Sequence, residues 1–292
     1  MPFGASVMGA GGIMSRAASG YVPLPIQTRD RELQMMISAW INAVLAPAGL
    51  QLQRARRPRR NSSGTSNSPF YNPTSSCQIP ELATLYDLFL GKKRDGLFVE
   101  VGAYDGISFS NSSCLADAGW SGILIEPIPA FAQACRDRYH ANSRIRIVET
   151  AVGATEGTVD ITLAGSLTTT NDNLLNEYRN IDWANAAIGA TSRLTVPQRT
   201  LDEILDAEGL QKPIDVLIVD VEGAEASVFA GFSISRWKPT MIIAELTHTH
   251  PDLHVISAGD AHLQSAIQKA GYSVVYKDAI NTVFARASAV QR

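Results

Sequence analysis

The sequence predicts an α/β domain: a mostly parallel sheet with helices on both faces, closed by an antiparallel hairpin. Three observations carry that reading. Short apolar runs without a polar face recur at Leu97–Val101, 122–126, 145–149, 215–220 and Met241–Glu245, as expected of parallel strands buried on both sides. Segments of helical character separate them, which is the alternation of βαβ units. The last two runs, 272–276 and 282–285, stand five residues apart, too close for a helical crossover, so they must pair antiparallel.

The 292 residues suffice for one large domain plus an extension, and 45% hydrophobic with 18% charged residues is an ordinary globular balance. A net charge of −3 supplies no global basic field, so no nucleic-acid partner is expected. Cys77, Cys114 and Cys135 are too few and odd in number for a disulfide framework, which points to reduced thiols. No run reaches about 18 consecutive apolar residues, so no membrane span is expected, and residues 1–20 lack the basic start and continuous apolar core of a secretion signal. Cytoplasmic localisation follows as the expectation.

Residues 1–28, rich in Gly, Ala, Ser and Met without a period, read as a disordered tail. Over 29–52, Leu33, Met36, Ile37, Trp40, Ile41, Val44 and Leu45 recur at three- and four-residue steps, an amphipathic helical extension that can pack on the domain or join a homo-oligomer. Residues 53–76 form a basic and polar linker with five arginines between Arg54 and Arg60. Such a patch can hold RNA or an acidic membrane, but no aromatic residues interleave with the arginines to stack bases, which favours a solvated linker.

The folded domain is expected over 77–288. Leu82, Leu85, Tyr86, Phe89 and Leu90 make a helix that Gly91 can end. The first strand, Leu97–Val101, runs into a turn with Gly102 and Gly106, and residues 110–119 read as the next helix. Residues 131–139 are a helix before the third strand, and 158–163 an alternating strand. Residues 164–196 read as a long polar insert, a lid or binding loop holding Thr168, Thr169, Thr170, Asn171, Asp172 and Asn173. Thr200 and Glu203 form a capping box for a helix over 201–208, and a further helix is expected over about 260–270.

A glycine turn between a strand and a helix start suits a nucleotide-like ligand, because backbone N–H groups lie bare there. The spacing is Glu100-Val-Gly102-Ala-Tyr104-Asp105-Gly106, without the middle glycine of a dinucleotide fingerprint. This E-x-G-x-x-x-G pattern resembles the first motif of Rossmann-like S-adenosylmethionine-dependent methyltransferases. The strands also deliver Glu100, Glu126, Glu149, Asp220 and Glu245 to one sheet edge, where ligands of open α/β sheets bind. Glu126, 20 residues past Gly106, can accept both hydroxyls of a ribose, in a nicotinamide cofactor as well as in S-adenosylmethionine. Asp105 and Asn111 can meet the methionine end of that cofactor or cap the following helix.

Asp220-Val-Glu222-Gly-Ala-Glu225 resembles the D-x-E-G-x-E signature of the FkbM methyltransferase family. Residues 100–111, 115–127, 151–153 and 281–284 extend the likeness over about 80–286. It implies a class I methyltransferase sheet of seven strands and S-adenosyl-L-methionine held by Glu100, Gly102, Tyr104, Asp105, Gly106, Ser110, Asn111, Glu126, Pro127 and Ala151. It also implies O-methylation of a hydroxyl on a small molecule or glycan. For activating that hydroxyl, the catalytic candidates are Asp220, Glu222, Glu245 and His248. His248 has the intrinsic pKa of a base near neutrality. Alternatively Asp220, Glu245 and His248 hold a divalent cation such as Mg²⁺, the reading favoured here because clustered carboxylates repel without one. Two rivals remain at this point: a nicotinamide-dependent oxidoreductase, and a non-catalytic module that retains the fold.

Overall fold

The computed structural model describes residues 70–210, 213–248, 250–255 and 257–290. The tail expected over 1–28, the helix over 29–52 with self-association through it, and residues 53–69 of the linker lie outside the described residues. In chain order the strands are β1 (Leu97–Val101), β2 (Ser121–Ile125), β3 (Ile145–Val148), β4 (Ala151–Val152), β5 (Gly157–Leu163), β6 (Ser192–Arg199), β7 (Val216–Val219), β8 (Met241–Glu245), β9 (Tyr272–Lys277) and β10 (Asn281–Arg286). The helices are α1 (Leu82–Leu90), α2 (Ser113–Asp117), α3 (Pro129–Tyr139), α4 (Asp172–Tyr178), α5 (Asp182–Ala187), α6 (Leu201–Ala207), α7 (Glu225–Ala230), α8 (Ile234–Trp237), α9 (Ser257–Lys269) and α10 (Ala287–Val290).

The main sheet has seven strands in the order β3-β2-β1-β7-β8-β10-β9. The first five are parallel, and β10 runs antiparallel to both β8 and β9. The chain reverses direction of travel across the sheet between β1 and β7, the position where such folds open a crevice.

Alternation along the strands sorts the core into two layers. Leu97, Val99 and Val101 pack with Ile123, Ile125, Leu217 and Val219 against α6, α7 and α9. Phe98 packs with Leu124, Val216, Ile218, Met241 and Ile243 against α1, α2 and α3. Tyr71 is wholly buried in this second layer and donates its hydroxyl to the carbonyls of Gly91 and Lys93. The packed layer thus already includes Tyr71, on which the Phe70 ring packs edge-on.

One expectation is corrected outright. Residues 164–196 are not a structureless loop: they contain α4, α5 and most of β6, which joins β4 and β5 in a separate three-stranded sheet. Leu174, Leu175, Tyr178 and Ala184 of this insert form a small core of their own with Leu253. The capping box is present as expected, with Thr200 Oγ1 accepting from the Glu203 N–H and Glu203 Oε2 from the Thr200 N–H. No helix among the described residues is long and apolar enough to cross a membrane.

Candidate active site

Strand register builds the site. Val101 pairs with both Ile125 and Val219, and Val219 pairs with Ala244. The next residue on each strand therefore forms a row across the carboxyl edge: Glu126, Gly102, Asp220, Glu245. Gly102 has φ +86, and a Cβ there would lie 1.7 Å from the backbone oxygen of Asp220. Its glycine is required by the close approach of the two chain crossings, more than by a ligand. Gly106 (φ +77) likewise abuts Cys135 and Tyr139 of α3.

Glu126 is buried, with one carboxylate oxygen accepting from the Tyr104 N–H (2.9 Å) and the other from the Ile128 N–H (2.8 Å). Those bonds fix its orientation and leave each oxygen a second lone pair. Burial outweighs them and pushes its pKa up to about 7. Pro127 follows it directly, and the Tyr104 ring packs on Phe131 with centroids 4.4 Å apart. Tyr104 and Phe109 both occupy the left-handed region, at φ 50 and 60. Such backbone costs on the order of 1–3 kcal/mol per residue and is held by its surroundings.

The rest of this loop is turned toward its own structure. Asp105 accepts from the N–H groups of Ile107 and Ser108 and from the Ser108 hydroxyl, so its carboxylate closes the turn. Ser110 Oγ accepts from the N–H groups of Ser112 and Ser113 at the start of α2. The Asn111 carbonyl accepts from the Tyr86 hydroxyl, and its side-chain oxygen from Cys77 Sγ. Glu100, an interior strand residue on the Phe98 face, lies beneath the loop and accepts a 2.6 Å bond from Ser112 Oγ. Burial pushes its pKa up to about 7 as well. Ala151 sits in β4 and packs with Ile128, Ile161 and Val196. Glu149 follows the end of β3 beside Glu126, but its carboxylate is taken up in a surface ion pair with Arg136.

At the other end of the row stand the carboxylates of the D-x-E-G-x-E turn. Asp220 stands beside Glu245 in the row, with Gln78 nearby, and burial raises its pKa. Neighbouring buried carboxylates repel unless a proton or a cation stands between them. Glu245, nearly buried, is pushed well up by burial and then by the charges of Glu222, Asp220 and Glu225. Glu222 sits at φ 53 and projects its carboxylate to the same place. Glu225 serves the backbone instead, because its Oε1 accepts from the N–H groups of Val221 and Gly223 and so shapes the turn that presents Glu222.

The insert closes on this turn. Tyr178 donates its hydroxyl to Glu222 Oε2 (2.7 Å) and Thr169 its hydroxyl to the Glu222 carbonyl (2.6 Å). Glu177 accepts from the N–H groups of His254 and Val255 beyond β8. Gln78, Thr169, Tyr178 and Glu225 were not among the expected site residues. The polar run 168–173 flagged Thr169, whereas Gln78 and Tyr178 carry no local signal.

His248 does not join the carboxylates. The oxygens that come together belong to Asp220, Glu222 and Glu245, within 4.8 Å of one another. His248 Nε2 is instead 2.7 Å from Lys277 Nζ, which also donates to Gln264. An ammonium only donates, so the lone pair of Nε2 is engaged, and burial followed by the Lys277 charge lowers the imidazole pKa. His248 thus stands apart from Asp220 and Glu245, with which the sequence grouped it, and Glu222 lies beside them instead.

Strand order, antiparallel closure and an acid-lined edge at the reversal point define a Rossmann-like class I methyltransferase. The methyltransferase FkbM domain family matches residues 100–274, more than half of the chain, and this protein belongs to that family. The nicotinamide oxidoreductase alternative falls with it. A curated relative, the 2-O-methyltransferase NoeI of Sinorhizobium fredii, is 27% identical over 186 residues, covering 59% of this chain and 70% of the relative. Among solved structures, methyltransferase FkbM from Methylobacillus flagellatus is 17% identical with a TM-score of 0.40, covering 66% of this chain. This chain spans only 44% of that protein. The SAH-bound methyltransferase PaMTH1 of Podospora anserina is 10% identical with a TM-score of 0.41, covering 92% of this chain and 99% of its own.

Proposed function

We propose that this protein transfers a methyl group from S-adenosyl-L-methionine to a hydroxyl oxygen of a small molecule or sugar residue. The observation that carries the reading is the row Glu126, Gly102, Asp220, Glu245, with an oriented carboxylate at one end and a proton-accepting group at the other. When bound, the cofactor supplies an electrophilic methyl group on a sulfonium. Glu126, aimed by two backbone N–H groups, offers its remaining lone pairs to vicinal hydroxyls such as a ribose diol. The acid-lined edge favours a cation over a pyrophosphate, in keeping with the glycine spacing.

At the other end, Asp220, Glu222 and Glu245 take the proton released by the acceptor hydroxyl. Their crowding and burial strengthen them as bases relative to a carboxylate in water. The reading stands with or without the Mg²⁺ expected from the sequence, because the carboxylates accept the proton themselves. A hydroxyl acceptor is supported by the family and by the 2-O-methyltransferase relative. A nucleic-acid acceptor is disfavoured, since phosphates would approach a cluster of carboxylates.

Two measurements test this reading. The full chain, given methyl-labelled S-adenosylmethionine and a panel of saccharides and small hydroxylated acceptors, should yield a labelled ether stable to alkali. Failure to bind S-adenosylhomocysteine in calorimetry would sink the proposal. The same calorimetry, run against pH, reads Glu126. Its carboxylate must be charged to accept hydroxyl protons, so affinity should fall roughly tenfold per pH unit below about 7. Glu126→Gln should be weak throughout and flat over that range; a Glu126→Gln protein that keeps the wild-type pH profile would remove Glu126 from the site.

A further inference from the structure

We propose that Asp220, Glu222 and Glu245 bind one hard divalent cation of the size of Mg²⁺ or Mn²⁺. Each contributes an oxygen to a group whose members lie within 4.8 Å of one another. Oxygens coordinated side by side on Mg²⁺, each about 2.1 Å from the ion, are roughly 3 Å apart. Closing the group onto an ion thus takes only small side-chain rotations.

A second observation, separate from that proximity, points to a ligand. Glu245, a member of this group, is only 8% exposed, and its Oε2 is buried without a hydrogen-bond donor. Its neighbours on this edge are not left so. Glu126 receives the Tyr104 and Ile128 N–H groups, Glu225 those of Val221 and Gly223, and Asp105 those of Ile107 and Ser108. A buried carboxyl oxygen without a partner is unfavourable, and a metal ion is one remedy that needs no further protein donor.

Charge and donor type narrow the occupant. Among the described residues, no ion pair involves Asp220, Glu222, Glu225 or Glu245. The lysine in this region, Lys277, is committed to His248 and Gln264. The ligand set is all carboxylate, with neither sulfur nor imidazole, which suits Mg²⁺ or Mn²⁺ and not zinc.

The construction is also rigid where it needs to be. Register fixes Asp220 beside Glu245, while Tyr178 and Thr169 hold Glu222 at its left-handed position. The role of the ion rests on the methyl-transfer reading: bound next to the acceptor, it would make the hydroxyl more acidic and leave the carboxylates to take the proton. Binding itself does not depend on that reading.

The test uses the full chain without cofactor. After dialysis against EDTA and its removal, Mn²⁺ is titrated and free ion followed by electron paramagnetic resonance. One saturable site per chain is expected, displaced by Mg²⁺. Glu245→Gln and Glu222→Gln should each weaken it at least about tenfold, or about 1.4 kcal/mol, and Glu149→Gln should leave it alone. Circular dichroism checks the fold, and should Glu245→Gln misfold, the more exposed Glu222→Gln decides. Absence of saturable Mn²⁺ binding by the wild type, or wild-type affinity in the folded variants, overturns the proposal. Calorimetry of S-adenosylhomocysteine in EDTA on the same sample reports the cofactor site separately, so either reading can fail without the other.

Discussion

Asp220→Asn should lower the rate of methyl transfer by roughly 10²–10⁴-fold, the usual worth of a positioned proton acceptor, while affinity for S-adenosylhomocysteine stays near wild type. The separation of the two effects follows from geometry. Asp220 lies at the Glu245 end of the row, beside Glu245 and near Gln78. An asparagine keeps the volume and donates to Glu245 as a protonated aspartic acid would, so the fold and the turn at 221–224 should survive. What is lost is a charge and a place for a proton. Single-turnover rates with a saturating acceptor, set beside calorimetry of the cofactor product, check this. A loss below tenfold in rate, or a parallel loss of cofactor affinity, would mean that Asp220 is not where the acceptor proton goes.

Gly102→Val should unfold rather than merely disarm the protein. A Cβ at this position meets the Asp220 carbonyl oxygen at 1.7 Å, a backbone atom that cannot rotate away. The residue is also held at φ +86, where a β-branched side chain is strained. Together these belong to the small class of substitutions that cost more than about 4 kcal/mol. For a domain of this size that corresponds to a fall in melting temperature of about 10 °C or more. Differential scanning calorimetry of the variant reads it directly. A variant that melts like the wild type but binds no cofactor would mean that the position serves the ligand and not the fold.

The row of edge residues was legible because parallel strands in register place the residue after each apolar run side by side. Glu126, Asp220 and Glu245 could be read from spacing alone. His248 could not be placed, because its partner Lys277 is 29 residues away in sequence and captures it through the β9–β10 hairpin. The insert was misread for a different reason. Helices α4 and α5 have seven and six residues, too short to show a helical period, and owe their stability to packing around Leu174, Leu175 and Tyr178. Strand β6 contains Pro197, which argues against a strand in sequence terms, yet the residue lies beside Thr158 in a sheet of three strands. Asp105 and Ser110, expected to meet the cofactor, also make local turn bonds that the sequence did not show.

The insert also sets how often the site breathes. Its roof over Glu222 is secured by the hydroxyl bonds of Tyr178 and Thr169, by the two N–H groups that Glu177 accepts, and by the contact of Leu253 with a small separate core. At roughly 1 kcal/mol net for each hydrogen bond, the four together amount to about 4 kcal/mol. Counted alone, those four bonds would set an open fraction on the order of one in a thousand, and the apolar core around Leu174, Leu175 and Leu253 lowers it further. The seven-stranded floor, by contrast, opens only with the whole fold. An acceptor that approached from the Glu222 side would thus meet an element held by a few polar contacts, while the Glu126 end of the row rests on the seven-stranded sheet.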